Sequence, residues 1–282
     1  MSKRCKRLPY PSDLSDKEWD IINSYFPNLQ SNRGRKRVHS YREILNAIFY
    51  LLRSGCSWRM LPHEFPHWKT VYHYFRLWRI YGIWEHINTV LRIELRIVYG
   101  REPEPRAAIL YSQSVKTTET PGVRGYDAAK KVKGRKRHIL VDTIGLLLMV
   151  VVHTADIQDR DGAKLVLEQV KGTLPRLQLT WADAGYSGKL VDWVKVVCGW
   201  VLEIVKRRDN VKDFQILPHR WIVERTFGWL GRFRRLSKDY EGLTESSQAL
   251  IYAAMINLMV RRLGRIKKED NGKRILRHAL RI

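Results

Sequence analysis

Two acids in this chain stand where a divalent cation could be held. Asp183 closes the apolar run Leu177-Gln178-Leu179-Thr180-Trp181-Ala182. Glu224 sits inside Trp221-Ile222-Val223-Glu224-Arg225-Thr226-Phe227, with Arg232-Phe233-Arg234-Arg235-Leu236-Ser237-Lys238 close behind. A carboxylate at a strand end and another on a helix are the minimum for holding Mg²⁺, a hard cation that takes oxygen ligands. Arg220 and Arg225 flank the second acid, and guanidinium forks match phosphate oxygens. Metal-assisted chemistry on a polyanion is the reaction class these residues suggest. Each acid also has a plainer reading. Asp183 is placed to cap a turn before Gly185, and Glu224 to pair with Arg220 on the surface, an interaction worth little. Gly228 and Gly231 lie beside Glu224 at helical spacing, which leaves room for a cation and a nucleic-acid backbone. A helix built only for structure tends to avoid two glycines.

The elements that must position these acids can be read from periodicity. After the composition shift at Arg101-Glu102-Pro103-Glu104-Pro105, strand-like runs cover 107–112, 137–142 and 146–153, the last two joined by a turn at Thr143-Ile144-Gly145. A helix over 162–169, a strand over 177–182, a helix over 189–197 and a strand over 200–205 follow, then helices over 220–233 and 244–263. Strands in succession and then alternating with helices predict an α/β domain with a mixed sheet, over 105–265. On the 220–233 helix, Ile222, Thr226, Trp229 and Phe233 share one face, the expected core side, and Glu224 points away from it. Before residue 100 the pattern is helical. Ser15 and Glu18 form a capping box, the stretch 41–52 has helical apolar spacing, and 67–84 is expected as a further helix. This suits a small helical, helix-turn-helix-like DNA-binding domain over 1–100. Residues 266–282 form a basic C-terminal tail.

The balance of Lys+Arg 52 against Asp+Glu 28 gives a formal net charge of +24, best explained by a polyanionic partner. The candidate phosphate contacts are Arg35, Lys36 and Arg37 in a basic loop, Lys133, Arg135 and Lys136 between two strands, and Arg220, Arg225, Arg232, Arg235 and Lys238 around Glu224. Such groups contact phosphates without reading sequence. Cys5, Cys56 and Cys198 make neither a zinc spacing nor a disulfide framework. The apolar runs at 146–152 and 249–260 are too short to cross a bilayer. A cytoplasmic protein in contact with the nucleoid, and no membrane partner, is the expectation.

The order Ser112-Gln113-Ser114-Val115-Lys116-Thr117, Gly134-Arg135-Lys136-Arg137-His138, Asp156-Ile157-Gln158-Asp159-Arg160-Asp161-Gly162, Trp181-Ala182-Asp183 and Val223-Glu224-Arg225-Thr226-Phe227 resembles a bacterial insertion-sequence transposase of the IS-five type, in the DDE superfamily. The resemblance runs from about residue 10 to about residue 263. It implies an RNase H-like core with flanking helices and three carboxylates holding two Mg²⁺ (or Mn²⁺) ions. It also implies cleavage and joining of double-stranded DNA at terminal inverted repeats and a target, by a homodimer on the DNA. By position, Asp183 is the second carboxylate and Glu224 the third. The first belongs directly before Ser112, where this chain has Tyr111. A phenol is neutral near pH 7, with a reference pKa near 10, and offers one oxygen instead of two. The departure leaves two expectations: a transposase that cuts and joins, or a copy that only binds DNA. Asp142, at the neighbouring strand's end, is the best stand-in for the missing acid, though its plainer reading is a turn residue. A cluster of Asp156, Asp159 and Asp161 could hold a metal, but reads more simply as a polar connection capping the next helix.

Overall fold

The computed structural model describes residues 7–27, 38–205 and 220–279, with backbone alone at 220 and from 267 onward. Helix α1 (Asp16–Ile22) starts at Ser15, whose hydroxyl accepts from the Glu18 amide while Glu18 accepts from the Ser15 amide. Helix α2 (Tyr41–Ser54) buries Ile44, Leu45, Ile48, Phe49 and Leu52, the spaced set read from the sequence. The expected helix over 67–84 is instead two helices, α3 (Trp68–Ile80) and α4 (Ile83–Val98). Gly82 separates them with a φ of 66°, a left-handed conformation that glycine takes at no steric cost. Phe26, Tyr41, Trp78 and Trp84 pack as an aromatic cluster, Trp78 and Trp84 with ring centroids 5.4 Å apart.

The sheet that follows is mixed, as expected. Strands β1 (Ala107–Lys116), β3 (Val132–Asp142) and β4 (Leu147–Thr154) are antiparallel neighbours, with β3 in the middle. Strands β5 (Leu179–Asp183) and β6 (Val201–Val205) run parallel to β1 on its other side. A three-residue strand, β2 (Gly125–Asp127), pairs with the start of β3 and was not expected from the sequence. Helix α5 (Asp159–Val170) connects β4 to β5, and α6 (Lys189–Trp193), continued by a π-helical turn over Val194–Cys198, connects β5 to β6. This is the RNase H-like mixed sheet with flanking helices. Two strands exceed their predicted extent: β1 continues to Lys116 and β3 begins at Val132.

Helix α7 (Arg220–Gly231) and helix α8 (Thr244–Ala279) close the chain. The helix expected to end at 263 continues through the stretch read as a tail. Each sheet face meets a different interior. Ile109, Ile139, Val141, Val150 and Val152 join a core shared with α1 to α4, α7 and α8. Ala108, Leu110, Leu140 and Val151 pack against α5, α6 and the π-helical turn through Val166, Leu167, Leu190 and Val194. The N-terminal helices therefore share their core with one face of the sheet, and Asn88 adds a hydrogen bond to the Leu147 carbonyl at 2.9 Å. Among the described residues, no helix is long and apolar enough to cross a membrane.

Candidate active site and nucleic-acid contacts

Strand alternation decides what stands near Asp183. On β1, Ile109 and Tyr111 face the helical side, and Ser112 faces α5. The parallel register pairs Ile109 with Trp181. Two residues further along each strand stand Tyr111 and Asp183, on that same face by the period of two. Helix α7 crosses above: the Phe227 and Tyr111 rings lie 6.1 Å apart at 57°. Glu224 precedes Phe227 by three residues, so it occupies the same side of α7 one turn earlier. Tyr111 in the middle of β1 and Asp183 at the carboxyl end of β5 thus stand on adjacent strands, and Glu224 lies one turn of α7 before the Phe227 that meets Tyr111.

The acids there are accessible. Glu224 is exposed and Asp183 half-buried. Asp183 Oδ1 accepts from the Gly185 amide at 2.9 Å, so the capping role read as its plain alternative is real, and it engages only one oxygen. A Cβ at Gly228 or Gly231 would meet nothing within 4 Å, so both glycines leave open space on α7. The helix is fixed from below. Thr226 Oγ1 donates to the Gly145 carbonyl and Arg225 Nη2 to the Ile144 carbonyl, both at 2.9 Å, tying α7 to the β3–β4 turn. Arg225 also lies between two indoles, 4.5 Å from the Trp221 centroid and 4.8 Å from that of Trp229, and Arg262 covers Trp229 at 4.0 Å. The sequence reading missed this ladder, although Trp221, Arg225 and Trp229 recur at four-residue spacing.

The donor set suits one hard cation, not two. Asp183 and Glu224 are carboxylates; the third position is a phenol whose ring packs on Phe227. Among the described residues, no group of three His, Cys, Asp or Glu is placed to hold a metal. Asp142 does not stand in. It is fully buried, ion-paired to Arg96 at 2.6 Å, and its Oδ1 accepts from the Ile144 and Leu146 amides, closing the β3–β4 turn.

Behind position 111, on the α5 side, lies a polar interior. Ser112 Oγ donates to Asp159 Oδ1 at 2.9 Å, and Lys136 pairs with Asp159 at 3.0 Å and Asp127 at 3.4 Å. Burial alone would raise the Asp159 pKa, but the Lys136 hydrogen bond and the Lys130 and Lys136 charges hold it below the usual carboxylate value. Asp159 lies in the first turn of α5 without capping it, so neither the metal cluster nor the cap expected of this acid is found. His138 Nδ1 and His153 Nε2 are 2.8 Å apart, and burial first, then the neighbouring imidazole, lowers His138 to about 3. Gly162 fits against both rings, where a Cβ would collide.

Three expected phosphate contacts are corrected. Arg135, Lys136 and Arg235 are buried. Because β3 starts at Val132, the basic run is strand, not loop, and its side chains alternate between the two interiors. Arg135 donates to the carbonyls of Val123, Glu241 and Gly242 and pairs with Asp239 at 3.2 Å. Lys136 joins the acids behind the sheet. Arg235 pairs with Glu241 at 2.6 Å and donates to the Cys56 carbonyl. Arg225 is half-buried and engaged as described. Lys133, Arg232 and Lys238 are exposed. Arg35, Lys36 and Arg37, and the Arg220 side chain, lie outside the described residues.

Residues 102–259 match the family described as "Transposase DDE domain", which spans the whole sheet and all three site positions. Residues 14–88 match the family described as "Putative transposase of IS4/5 family". Two curated proteins of Burkholderia cepacia are similar. The "Insertion element IS402 uncharacterized 16.2 kDa protein" is 32% identical over 89 residues, covering 29% of this chain and 60% of that protein. The "Putative transposase for insertion sequence element IS402" is 30% identical over 115 residues, covering 38% of this chain and 54% of that protein. The chain thus spans little more than half the length of either relative.

Proposed function

Because this chain belongs to the DDE transposases, we propose that it binds the ends of an insertion element and cleaves and joins DNA there, with Asp183 and Glu224 as its metal ligands. The reading is supported by Tyr111 and Asp183 on one face of adjacent strands, by Phe227 of the Glu224 helix against the Tyr111 ring, and by the open space at Gly228 and Gly231 on that helix. Phosphodiester transfer needs stabilisation of the charge that builds on the phosphate and leaving oxygens. The family uses divalent metals, and Mg²⁺ or Mn²⁺ bound at Asp183 and Glu224 would supply that stabilisation; two ions are expected in an active member. The protein's own part is positional. Arg225 and Thr226 hold the Glu224 helix against the β3–β4 turn, and the Gly185 amide fixes the Asp183 carboxylate. Lys133, Arg232 and Lys238, with Arg35, Lys36, Arg37 and Arg220, bind phosphates. The partner is double-stranded DNA, at terminal inverted repeats and a target, bound by a homodimer in the cytoplasm at the nucleoid.

A second reading, a copy that binds ends without cutting them, is favoured by the Tyr111 ring packed on Phe227. One experiment separates the two. Purified chain is incubated with labelled DNA from the element's boundaries in Mg²⁺ or Mn²⁺, and binding and strand cleavage are followed together. Binding with cleavage supports the first reading, and binding without cleavage the second. The absence of salt-sensitive binding sinks both.

A further inference from the structure

Helix α3 is the one of the first four helices that carries no carboxylate: its residues are Trp68-Lys69-Thr70-Val71-Tyr72-His73-Tyr74-Phe75-Arg76-Leu77-Trp78-Arg79-Ile80. Helices α1, α2 and α4 each carry at least one, Asp16, Glu43 and Glu85 among them. Val71, Phe75 and Trp78 face inward, and Lys69, His73, Arg76 and Ile80 form one exposed stripe. The chain thus builds a helix about 20 Å long whose outer side is cationic over its first two turns and whose inner side is locked by indole and phenyl rings.

What surrounds its start is consistent with a polyanion. The N-termini of α2 and α3 both open into a cleft of about 1350 Å³, lined by His39, Ser40, Arg59, His63, His67 and Trp68 among others. Arg59 and Lys69 both lie against the Trp68 ring, at 5.4 and 5.8 Å. Most carboxylates of this cleft are neutralised within it: Asp13 and Glu43 by Arg7, Asp16 by Arg42. Glu64 stands on the rim. The basic sequence 33–37 joins the described chain at Val38, immediately before two residues of the same cleft.

We propose that α3 is the base-reading helix of this protein, entering the major groove of double-stranded DNA with Lys69, His73 and Arg76 toward base edges. Arg59 and the start of the helix hold the adjoining phosphates. The inference rests on the DNA-binding reading above and goes beyond it by dividing the cations into readers and holders. A major groove about 12 Å wide admits one helix, and Arg or Lys pairs with guanine O6 and N7 there. Backbone contacts carry no sequence information.

The test begins with selection, by the full chain, from a random duplex pool of about 30 base pairs, roughly three helical turns. Affinities for the enriched duplex and for the unselected pool are then measured for the unaltered chain, Lys69→Ala, Arg76→Ala, Arg76→Lys and, as a control on the far side of the sheet, Lys195→Ala. The expected result is a loss of about tenfold or more on the enriched duplex for both alanine variants, with pool binding nearly unchanged. Arg76→Lys keeps the charge but not the planar fork, so it should retain pool binding and still lose discrimination. Equal losses on both probes would make these residues phosphate holders and overturn the inference, as would no loss at all, or a selection that enriches nothing. If the unaltered chain binds neither probe at low salt, the functional reading itself falls, and the inference with it. Thermal melting of each variant checks that the fold is kept.

Discussion

The helical face of the sheet and the α5 face solve opposite problems with the same two strands. On the helical face, Ile109, Tyr111, Ile139 and Val141 merge into a core shared with six helices, and charge enters it in the form of Arg135 and Arg137 reaching the 236–242 loop. On the α5 face, Ser112, Lys136 and His138 sit a residue away in sequence from those groups, among Asp127, Asp159 and His153. The first face holds its charges mainly by carbonyls, with Asp239 the one carboxylate paired to Arg135, and the second by the carboxylates Asp127 and Asp159. A buried cation needs one or the other, because the desolvation penalty is several kcal/mol per ion. Position 111 belongs to the first face, with its ring against Phe227. A divalent cation bound beside an acid at that position would favour its charged form.

The most forceful way to test that contrast is Tyr111→Asp. It puts a third carboxylate where the ring now packs on Phe227, and should raise metal-dependent cleavage about a thousandfold, equivalent to roughly 4 kcal/mol of transition-state stabilisation. Asp183→Ala in the same background should abolish the gain. Mg²⁺ should also raise the melting temperature of the Asp variant more than that of the unaltered chain, since a cation bound only by the folded state stabilises it by mass action. An inert Asp variant that remains folded and DNA-bound would falsify the assignment of Tyr111 as the lesion.

Next in size is Arg135→Ala. It strands the Asp239 carboxylate and the carbonyls of Val123, Glu241 and Gly242 in a dry interior. Loss of about 3 kcal/mol or more of folding stability is expected, because an uncompensated buried charge remains. Urea denaturation measures it. A variant of unchanged stability with weakened DNA binding would return Arg135 to the phosphate contacts.

How much of this could be read from the sequence follows from what each signal encodes. Apolar spacing found α2 and the mixed sheet, because burial of a repeating side is what such spacing records; on α7 it found Ile222 and Thr226 but missed Val223 and Leu230, while Trp229 is half-buried and Phe233 lies past the helix end. Asp183 and Glu224 were read as strand-end and helix acids, and they lie at the end of β5 and on α7. The basic stretch 130–138 was misread for a physical reason. Its charged residues suggest solvent, and only tertiary partners bury part of it: carbonyls of residues about a hundred positions later hold Arg135 and Arg137, and Asp127 and Asp159 hold Lys136, while Lys130, Lys131 and Lys133 stay exposed. The break at Gly82 was invisible for a similar reason: the apolar spacing continues across it, and one left-handed residue turns the chain.

The α5 face supplies a smaller, pH-dependent effect. His138 is held to about 3 by burial and by His153, whose own value is also lowered by burial. Unfolded histidine titrates near 6.5. Between about pH 6.5 and pH 3 the unfolded chain therefore binds a proton that the folded chain refuses. Stability from this residue is fully present above pH 6.5 and falls as pH drops, by at most about 1.4 kcal/mol per pH unit for one proton. Denaturation midpoints between pH 7 and pH 5, above the carboxylate range, should fall for the unaltered chain and fall less for His138→Asn. Parallel curves for the two would show that the imidazole pair does not govern acid sensitivity.

The smallest effect concerns the exposed cations, the counterparts of the buried ones on β3. Lys133 and Lys136 lie three positions apart on one strand, but Lys133 is exposed and Lys136 is held by Asp127 and Asp159. If exposure decides which basic residues meet DNA, Lys133→Ala and Lys238→Ala should each reduce the slope of log K against log salt by about one, the contribution of a single phosphate contact. Stability should stay within about 0.5 kcal/mol, as for surface changes remote from structural features. Lys136→Met should do the reverse, leaving the salt slope unchanged and lowering stability, because two carboxylates lose their partner. The three variants are compared at the same salt concentrations on one duplex, with melting temperatures taken alongside. Equal salt slopes for the unaltered chain and Lys133→Ala would mean that this end of β3 faces solvent without touching DNA. A Lys136 variant with a reduced slope would mean instead that the α5 face opens when DNA binds.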